Sequence, residues 1–309
     1  MAPITFIEGI GSQLAERWIA TLLTPAFCFW AGGFFLLTQL SIWGDIKTNL
    51  GKLSEPFQIA VLVVCLLIIA ASAFIVQRFD LTILRFLEGY WSQDWKPLKR
   101  LWKRKTQQHA QQLHDIKDQL QILMRSAPSV DVFNKKAQLD HQRRWLPSKP
   151  DALMPTELGN ILRAAELRSE AKYGLNAVVC WPHLWMLLPE HPRNDLQEAR
   201  ANLNTAARIW LWGLLFWSWT LLGFWTPWAL LALPIGWCTM VFAYRWSLSA
   251  ARDYGDLLDA AFDLHRDKLY KSLRWPLPEN SDVEREMGER LTQYLWRGPV
   301  NFVAYQDYD

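Results

Sequence analysis

The sequence predicts an all-α polytopic membrane protein. Four transmembrane helices form two hairpins, with a helical cytoplasmic domain between the hairpins and a helical C-terminal tail. Three observations lead to this fold class. The stretch from Ala207 to Tyr244 carries one charged residue, Arg208, near its start. Two further apolar runs, 22–43 and 57–77, are each long enough for one crossing. No strand-type alternation of useful length appears in the chain.

The segment 207–244 is too long for a buried core helix. At about 1.5 Å of rise per residue it matches two short crossings that fold back on each other. The fold-back is predicted at the turn from Phe224 to Trp228, because Pro227 ends one helix and starts the next.

The first hairpin contains small residues where helices are expected to touch. Gly32 and Gly33 lie near the middle of the first crossing and allow close backbone approach by a neighbour. The second crossing carries small residues at 70–73, which suit helix contact. We expect the short segment 44–56 between these crossings to be a loop.

The distribution of positive charge predicts the topology. Eight Lys and Arg residues lie between Arg78 and Lys105, whereas the loop between the first two crossings has only two. The positive-inside rule therefore places this region and both chain ends in the cytoplasm. The predicted division is an amphipathic N-terminal helix at 1–21, a transmembrane hairpin at 22–77, a helical cytoplasmic domain at 78–205, a second hairpin at 206–245 and a cytoplasmic helical tail at 246–309.

Tryptophan is abundant, with 19 residues in the chain. Its ring favours the headgroup level of a membrane, where the N–H group reaches water. Four tryptophans at segment ends are predicted interface anchors, namely Trp43, Trp225, Trp228 and Trp246. The N-terminal helix either lies in the membrane surface plane or extends the first crossing.

The predicted helix 97–125 has a short heptad seam. This seam forms either a coil between subunits or a contact within the same chain. Its positions are His109, Leu113, Ile116, Leu120 and Leu123. The segment 126–155 contains four prolines and is predicted to be an irregular connector.

Local capping signals place two further helices. Thr156 is predicted to cap a helix over 157–173, and Gly174 is predicted to stop it. Ser281 and Glu284 match a capping box for the last helix.

A row of aspartates follows the fourth crossing at steps of three and four, so its members share one helix face. Three interpretations remain open: a solvated face, pairing with the basic helix 96–105, or a role that is either a divalent-cation site or an acidic ring around a pore vestibule. The row consists of Asp256, Asp259, Asp263 and Asp267.

The basic run is predicted to contact lipid headgroups, and the alternative is a phosphate-rich ligand or nucleic acid. Trp91, Trp95 and Trp102 lie among the cations, which favours headgroup anchoring over base stacking. No nucleic-acid-binding module is recognisable, so no nucleic-acid partner is expected. The run comprises Lys96, Lys99, Arg100, Lys103, Arg104 and Lys105.

Several function classes are disfavoured. The predicted crossings hold no Asp, Glu, Lys, Arg or His in 25–43, 57–77 or 209–243, which argues against an ion-coupled transporter. The six histidines form no metal-ligand spacing, and no nucleophile elbow, Walker loop or dinucleotide fingerprint occurs. The four cysteines form no C-x-x-C pair. We therefore expect neither an enzyme nor a bound metal or cofactor.

The stretch 153–189 contains LMPTELGNILRAAE followed by KYGLNAVVCWPHLWMLLP. The stretch 261–298 contains AFDLHRDKLYKSLRWPLP followed by ERLTQYLWRG. They resemble an uncharacterised family of bacterial four-helix integral membrane proteins. The resemblance covers under a third of the chain. It implies a bacterial inner-membrane location and no catalytic residues.

Three functions fit this pattern. The first is a homo-oligomeric inner-membrane channel or pore with cytoplasmic regulatory helices, in contact with membrane lipids. The second is a non-enzymatic membrane-anchored scaffold that recruits a cytoplasmic protein partner. The third is a membrane-disrupting effector of bacterial defence, which opens on a signal.

Overall fold

The computed structural model describes residues 24–39, 42–222 and 227–298. Within these ranges every regular element is helical and no strand occurs, which confirms the predicted all-α class. The predicted amphipathic helix at 1–21 lies outside the described residues, as do the first three residues of the predicted Phe224–Trp228 turn.

Twelve α-helices are described in these ranges. They are α1 Thr24–Thr38, α2 Ile42–Gly51, α3 Glu55–Arg78, α4 Asp80–Glu88, α5 Lys96–Arg125, α6 Val130–Arg144, α7 Glu157–Tyr173, α8 Ala177–Leu187, α9 Glu190–Phe216, α10 Pro227–Leu230, α11 Ala232–Ser272 and α12 Ser281–Arg297. Two short 3₁₀ segments, Pro150–Ala152 and Trp217–Leu222, precede α7 and follow α9.

Two helical segments of the described chain, Glu55–Arg78 and Trp228–Ser272, are long and apolar enough to cross a membrane. A third span is reached only if Thr24–Thr38 and Trp43–Gly51, bent by 101°, form one crossing. The predicted number of four crossings is therefore not confirmed. The difference arises at α9, whose apolar α-helical part follows Arg208 and ends at Phe216, far short of the roughly 20 residues that a span needs.

Two predicted irregular segments are helical. The predicted loop 44–56 contains most of α2, and the predicted connector 126–155 contains α6. The prolines of the connector flank α6 and do not enter it, so they bound a helix instead of preventing one.

The chain divides into two compact units. Unit 1 comprises Met1–Leu84 with Leu203–Ser247, and unit 2 comprises Arg85–Asn202 with Leu248–Asp309. Each predicted transmembrane hairpin falls largely in unit 1, and the predicted cytoplasmic parts fall largely in unit 2.

Small residues hold unit 1 together. A Cβ atom at Gly32 would lie 2.6 Å from the Phe216 ring, and one at Gly33 would lie 2.1 Å from the Trp219 ring. Each of these glycines therefore packs against an aromatic side chain and not against a neighbouring backbone. The close backbone approach occurs elsewhere, where a Cβ atom at Gly236 would lie 2.5 Å from the carbonyl oxygen of Gly213.

The small-residue patch of α3 makes helix contacts in part, since Ala71 is exposed. Ala73 is buried with Val76 against Ala26 and Trp212. The hydroxyl of Ser72 accepts a hydrogen bond from the Trp30 indole at 3.1 Å. Most other α3 side chains are exposed and apolar, as expected for a surface that contacts lipid.

Unit 2 has a core formed by α7, α8, α11 and α12, in which Phe262 and Tyr270 are the largest fully buried side chains. Close packing fixes α12 against the end of α7. A Cβ atom at Gly288 would lie 1.9 Å from the Tyr173 carbonyl oxygen, and Gly174 has a φ of 70°. Such contacts require glycine at both positions.

The capping predictions are confirmed at α7 and corrected at α12. Thr156 accepts from the Gly159 amide at 3.1 Å, and Gly174 ends α7 in the left-handed conformation. At α12 the cap is Asn280, which accepts from the amide of Asp282 at 3.1 Å and from that of Val283 at 3.0 Å. Ser281 is the first helical residue, because Asn280 already satisfies these amides.

The heptad seam of α5 packs within the chain. Ile116 and Leu120 are buried against Leu139 of α6, with Leu123 and Leu146 beside them. The two helices thus form an antiparallel hairpin, the α5–α6 hairpin. The seam is therefore a contact within the same chain, which is one of the two alternatives that the sequence left open.

Candidate functional site

The aspartate row on α11 is paired with cations in unit 2. Asp256 lies 2.5 Å from Arg144, and Asp259 lies 2.8 Å from Lys172. Arg168 stands between them, with its guanidinium 3.6 Å from Asp256 and 3.5 Å from Asp259. Three cations and two carboxylates of this face are therefore paired with one another.

The lower half of the row is held by a second set of contacts. Asp263 accepts a hydrogen bond from the Tyr173 hydroxyl at 2.6 Å and from Lys172 at 3.0 Å. Burial raises the pKa of Asp263, but these donors outweigh burial and hold its pKa below the usual value. Asp267 pairs with Lys271 one turn later at 3.0 Å.

These contacts bear on the three interpretations of the row. The cations come from α6, α7 and α11 itself, and not from the basic helix 96–105. The sequence signal for them was present, because Arg168 and Lys172 stand four apart on α7 and form a matching row. Within the described ranges no group of three His, Cys, Asp or Glu side chains is arranged to hold a metal ion. The acidic vestibule stays a prediction.

The six cations of the basic run are all exposed at the start of α5. Trp95 and Leu101 are exposed beside them, so the surface combines positive charge with apolar side chains. In the part of the chain that the structure describes, none of the six forms an ion pair. This surface suits anionic headgroups, as the sequence indicates.

Three of the four predicted interface tryptophans lie in described segments. Trp43 packs edge-on against Phe34 with 5.1 Å between ring centroids, and Trp246 lies 6.1 Å from the Phe242 ring. Trp228 is about half exposed, and Trp225 lies outside the described residues.

The turn of the α5–α6 hairpin carries an apolar surface that sequence reasoning missed. The side chains of this hairpin tip are Ile122 at 64 % exposure, Met124 at 66 %, Val130 at 75 % and Phe133 at 72 %. They lie off the heptad seam on either side of the Ser126–Ser129 turn. Apolar residues outside a seam and next to a turn are the signal that predicts such a surface.

A buried ion pair in unit 1 was also missed. Arg208 forms a bidentate pair with Asp80, with distances of 2.6 to 2.9 Å between guanidinium nitrogens and carboxylate oxygens. Both side chains are largely buried. The planar guanidinium fits this two-point contact, which fixes the start of α4 against α9.

Comparison of the chain with protein families, with curated proteins and with solved structures finds no match. The resemblance of 153–189 and 261–298 to bacterial integral membrane proteins therefore stays an expectation from the sequence.

Proposed function

We propose that this chain is a membrane-anchored scaffold that recruits a cytoplasmic protein partner through the tip of the α5–α6 hairpin. The observation that carries the proposal is the exposure of four large apolar side chains at one turn. Solvent-facing apolar residues that cluster in this way mark interaction sites.

Burial of the hairpin-tip side chains releases enough free energy to recruit a partner. Full burial of one Ile, Met, Val or Phe side chain contributes about 1.5–3 kcal/mol. Association costs at least 4 kcal/mol in lost freedom, so several of these residues must act together. Such a sum fits a reversible complex and not a permanent one.

The turn is well fixed, which lowers the cost of binding. The buried contacts of Ile116 and Leu120 with Leu139 tie the helices together just before the tip. Ser129 caps α6 by accepting from the Val132 amide at 3.2 Å. The tip side chains are therefore presented on two ordered helix ends.

The anchor in this proposal is the predicted arrangement of four crossings in a bacterial inner membrane, with both chain ends in the cytoplasm and the basic run against anionic headgroups. The apolar exposed face of α3 and the exposed cations of α5 support it. Labelling of tags at both chain ends in intact and permeabilised cells tests the topology. Labelling from the periplasm would contradict it.

The homo-oligomeric channel was the first expectation from the sequence, and the paired aspartate row lowers its support. Carboxylates that already contact Arg144, Arg168 and Lys172 have less charge to offer to a permeant cation. Planar bilayer recording separates the two functions. Discrete currents from the purified protein would favour the channel over the scaffold.

Partner recruitment is tested by in-cell crosslinking and affinity purification of the full chain. Phe133→Ser together with Ile122→Ser should remove the crosslinked partner band. Leu264→Ser is the matched control, because Leu264 is 71 % exposed on α11, away from the tip. Equal crosslinking of both variants would refute the proposed surface. A crosslinked species that is only a second copy of this chain would assign the tip to self-association.

A further inference from the structure

A cavity of about 250 Å³ opens on unit 2. Its wall is built by α7, α8, α9 and α11 together with the end of α4, and the side chains that give it chemical character are Glu88, Glu166, Trp181, Pro182, Arg200 and Tyr254. The volume is just below the range of cavities that hold drug-sized molecules, so a ligand here is small.

The charged side chains of the cavity do not all form ion pairs or hydrogen bonds with one another. Among the described residues, the side chain of Arg200 forms no ion pair and no hydrogen bond, although its charge acts on Glu88, and its guanidinium lies 5.8 Å from the centroid of the Tyr254 ring. Glu166 pairs with Arg163 at 3.1 Å, which leaves acceptor positions on its carboxylate. The side chain of Glu88 has no described partner for a hydrogen bond.

The backbone holds Glu88 in place. The Thr156 hydroxyl donates to the Glu88 carbonyl oxygen at 2.7 Å. A Cβ atom at Gly159 would lie 2.1 Å from that same oxygen, so α7 meets the end of α4 without intervening side chains. Gly89 follows with a φ of 97°, a conformation that favours glycine. The backbone of Glu88 is thereby fixed at the wall of the cavity.

The surroundings of Glu88 change the pKa of its carboxyl group. The pKa of Glu88 is raised to about 7, chiefly by burial; Arg200 of α9 and Arg85 of α4 oppose the rise, and Glu166 of α7 adds to it. Tyr254 of α11 also has a pKa raised by burial, with Glu166 adding to the rise and Arg200 opposing it. These groups respond to one another across the cavity.

We propose that this cavity binds a small zwitterion with a compact apolar body, of which an apolar α-amino acid is the simplest case. The ammonium group lies against Glu88 and Glu166, the carboxylate contacts Arg200, and the apolar part packs on Trp181 and Pro182. The inference is independent of the hairpin tip and of the membrane anchor.

Charge balance selects this ligand class. A simple cation would satisfy the glutamates and leave Arg200 half-buried without a partner. A simple anion would satisfy Arg200 and face two carboxylates. A molecule with both charges gives Arg200 and Glu88 one partner each and uses the acceptor positions that Glu166 keeps beside Arg163, and partly buried charges gain from such partners.

The pH dependence of binding follows from Glu88, whose ionised form attracts the ammonium group. With a pKa of about 7, its ionised fraction rises from about one-tenth at pH 6 to about nine-tenths at pH 8. The apparent affinity should therefore rise by about tenfold over this interval.

The test is calorimetric titration of the full chain in detergent micelles with L-phenylalanine and L-leucine. Phenethylamine and 3-phenylpropionate serve as probes that lack one of the two charges. We expect saturable binding of both amino acids, about tenfold weaker binding of both analogues, and the rise in affinity between pH 6 and pH 8.

Glu88→Gln and Arg200→Gln should each weaken amino-acid binding by about tenfold, since each removes one charged contact. Glu198→Gln is the matched control, because Glu198 is exposed on α9 and does not line the cavity. The pH profile of the unmodified chain tests the same point without a substitution. No saturable binding of either amino acid at about 10 mM, or equal binding of phenethylamine, would overturn the proposal.

Discussion

Charged side chains on one side of α7 form ion pairs with α11, whereas the charged side chain on the other side faces a cavity. On one side, Arg168 and Lys172 contact Asp259 and Asp263 of α11 at distances of 2.8 to 3.5 Å. On the other side, Glu166 faces a cavity in which Arg200 forms no ion pair with a described residue. In the first arrangement the charges pair with one another within the chain, and the network has a structural role. The second leaves charges available, and this difference separates a stabilising network from a candidate binding site.

The largest expected effect comes from the most buried pair, in unit 1. Arg208→Met would leave the Asp80 carboxylate buried without its partner, which costs about 3–5 kcal/mol of unfolding free energy. Denaturation of the detergent-solubilised protein measures it. The double variant Asp80→Asn with Arg208→Met should recover part of the loss, because neither charge then remains unpaired. Equal stability of Arg208→Met and the unmodified chain would contradict the role of the pair.

Glu88→Gln should give the next largest effect, and it should stabilise. The pKa of Glu88 rises from 4.5 to about 7 on folding, so the folded state binds more protons between these pH values. Stability is therefore lost as the pH rises through this window, and the variant avoids the loss. We expect a gain of about 1–3 kcal/mol at pH 8 and little change at pH 4.

Denaturation of this variant at pH 4 and at pH 8 measures the gain, with Glu198→Gln as the exposed control. A gain of the same size at both pH values would show that Glu88 does not titrate in this interval.

Lys172→Met tests the closed network. Asp259 and Asp263 would each lose one cation, although Arg168 and Tyr173 would still contact them. Because Lys172 is partly exposed, we expect a loss of only about 1 kcal/mol, which high salt should reduce. Lys268→Met is a matched control on α11. An equal loss in both variants would mean that the Lys172 contacts contribute nothing specific.

The smallest effect on stability is expected for Arg200→Met. Since Arg200 has no ion pair to lose among the described residues, its replacement at pH 6 should change the unfolding free energy by less than about 0.5 kcal/mol. The same variant should bind amino acids about tenfold more weakly, as Arg200→Gln does. A loss of stability as large as that of Lys172→Met would place Arg200 in a structural network and remove the contrast between the two sides of α7.

Sequence patterns that involve residues close together in the chain predicted the structure more reliably than patterns that involve distant residues. Thr156 and Gly174 could be assigned as caps because each acts on residues within one turn of itself. The aspartates could be assigned to one face for the same reason. The α6 helix was missed because four prolines in 126–155 outweighed a helical stretch that contains none of them.

The sequence by itself determined the apolar segments, the helical class and the faces on which charges lie, because these depend on residues a few positions apart. Only the tertiary structure decided which groups meet. Asp256 finds Arg144 at a separation of 112 residues, and Asp263 finds Lys172 at 91. The cavity gathers residues from five helices. Helix packing sets such pairings through the summed fit of many weak contacts, which no local pattern records.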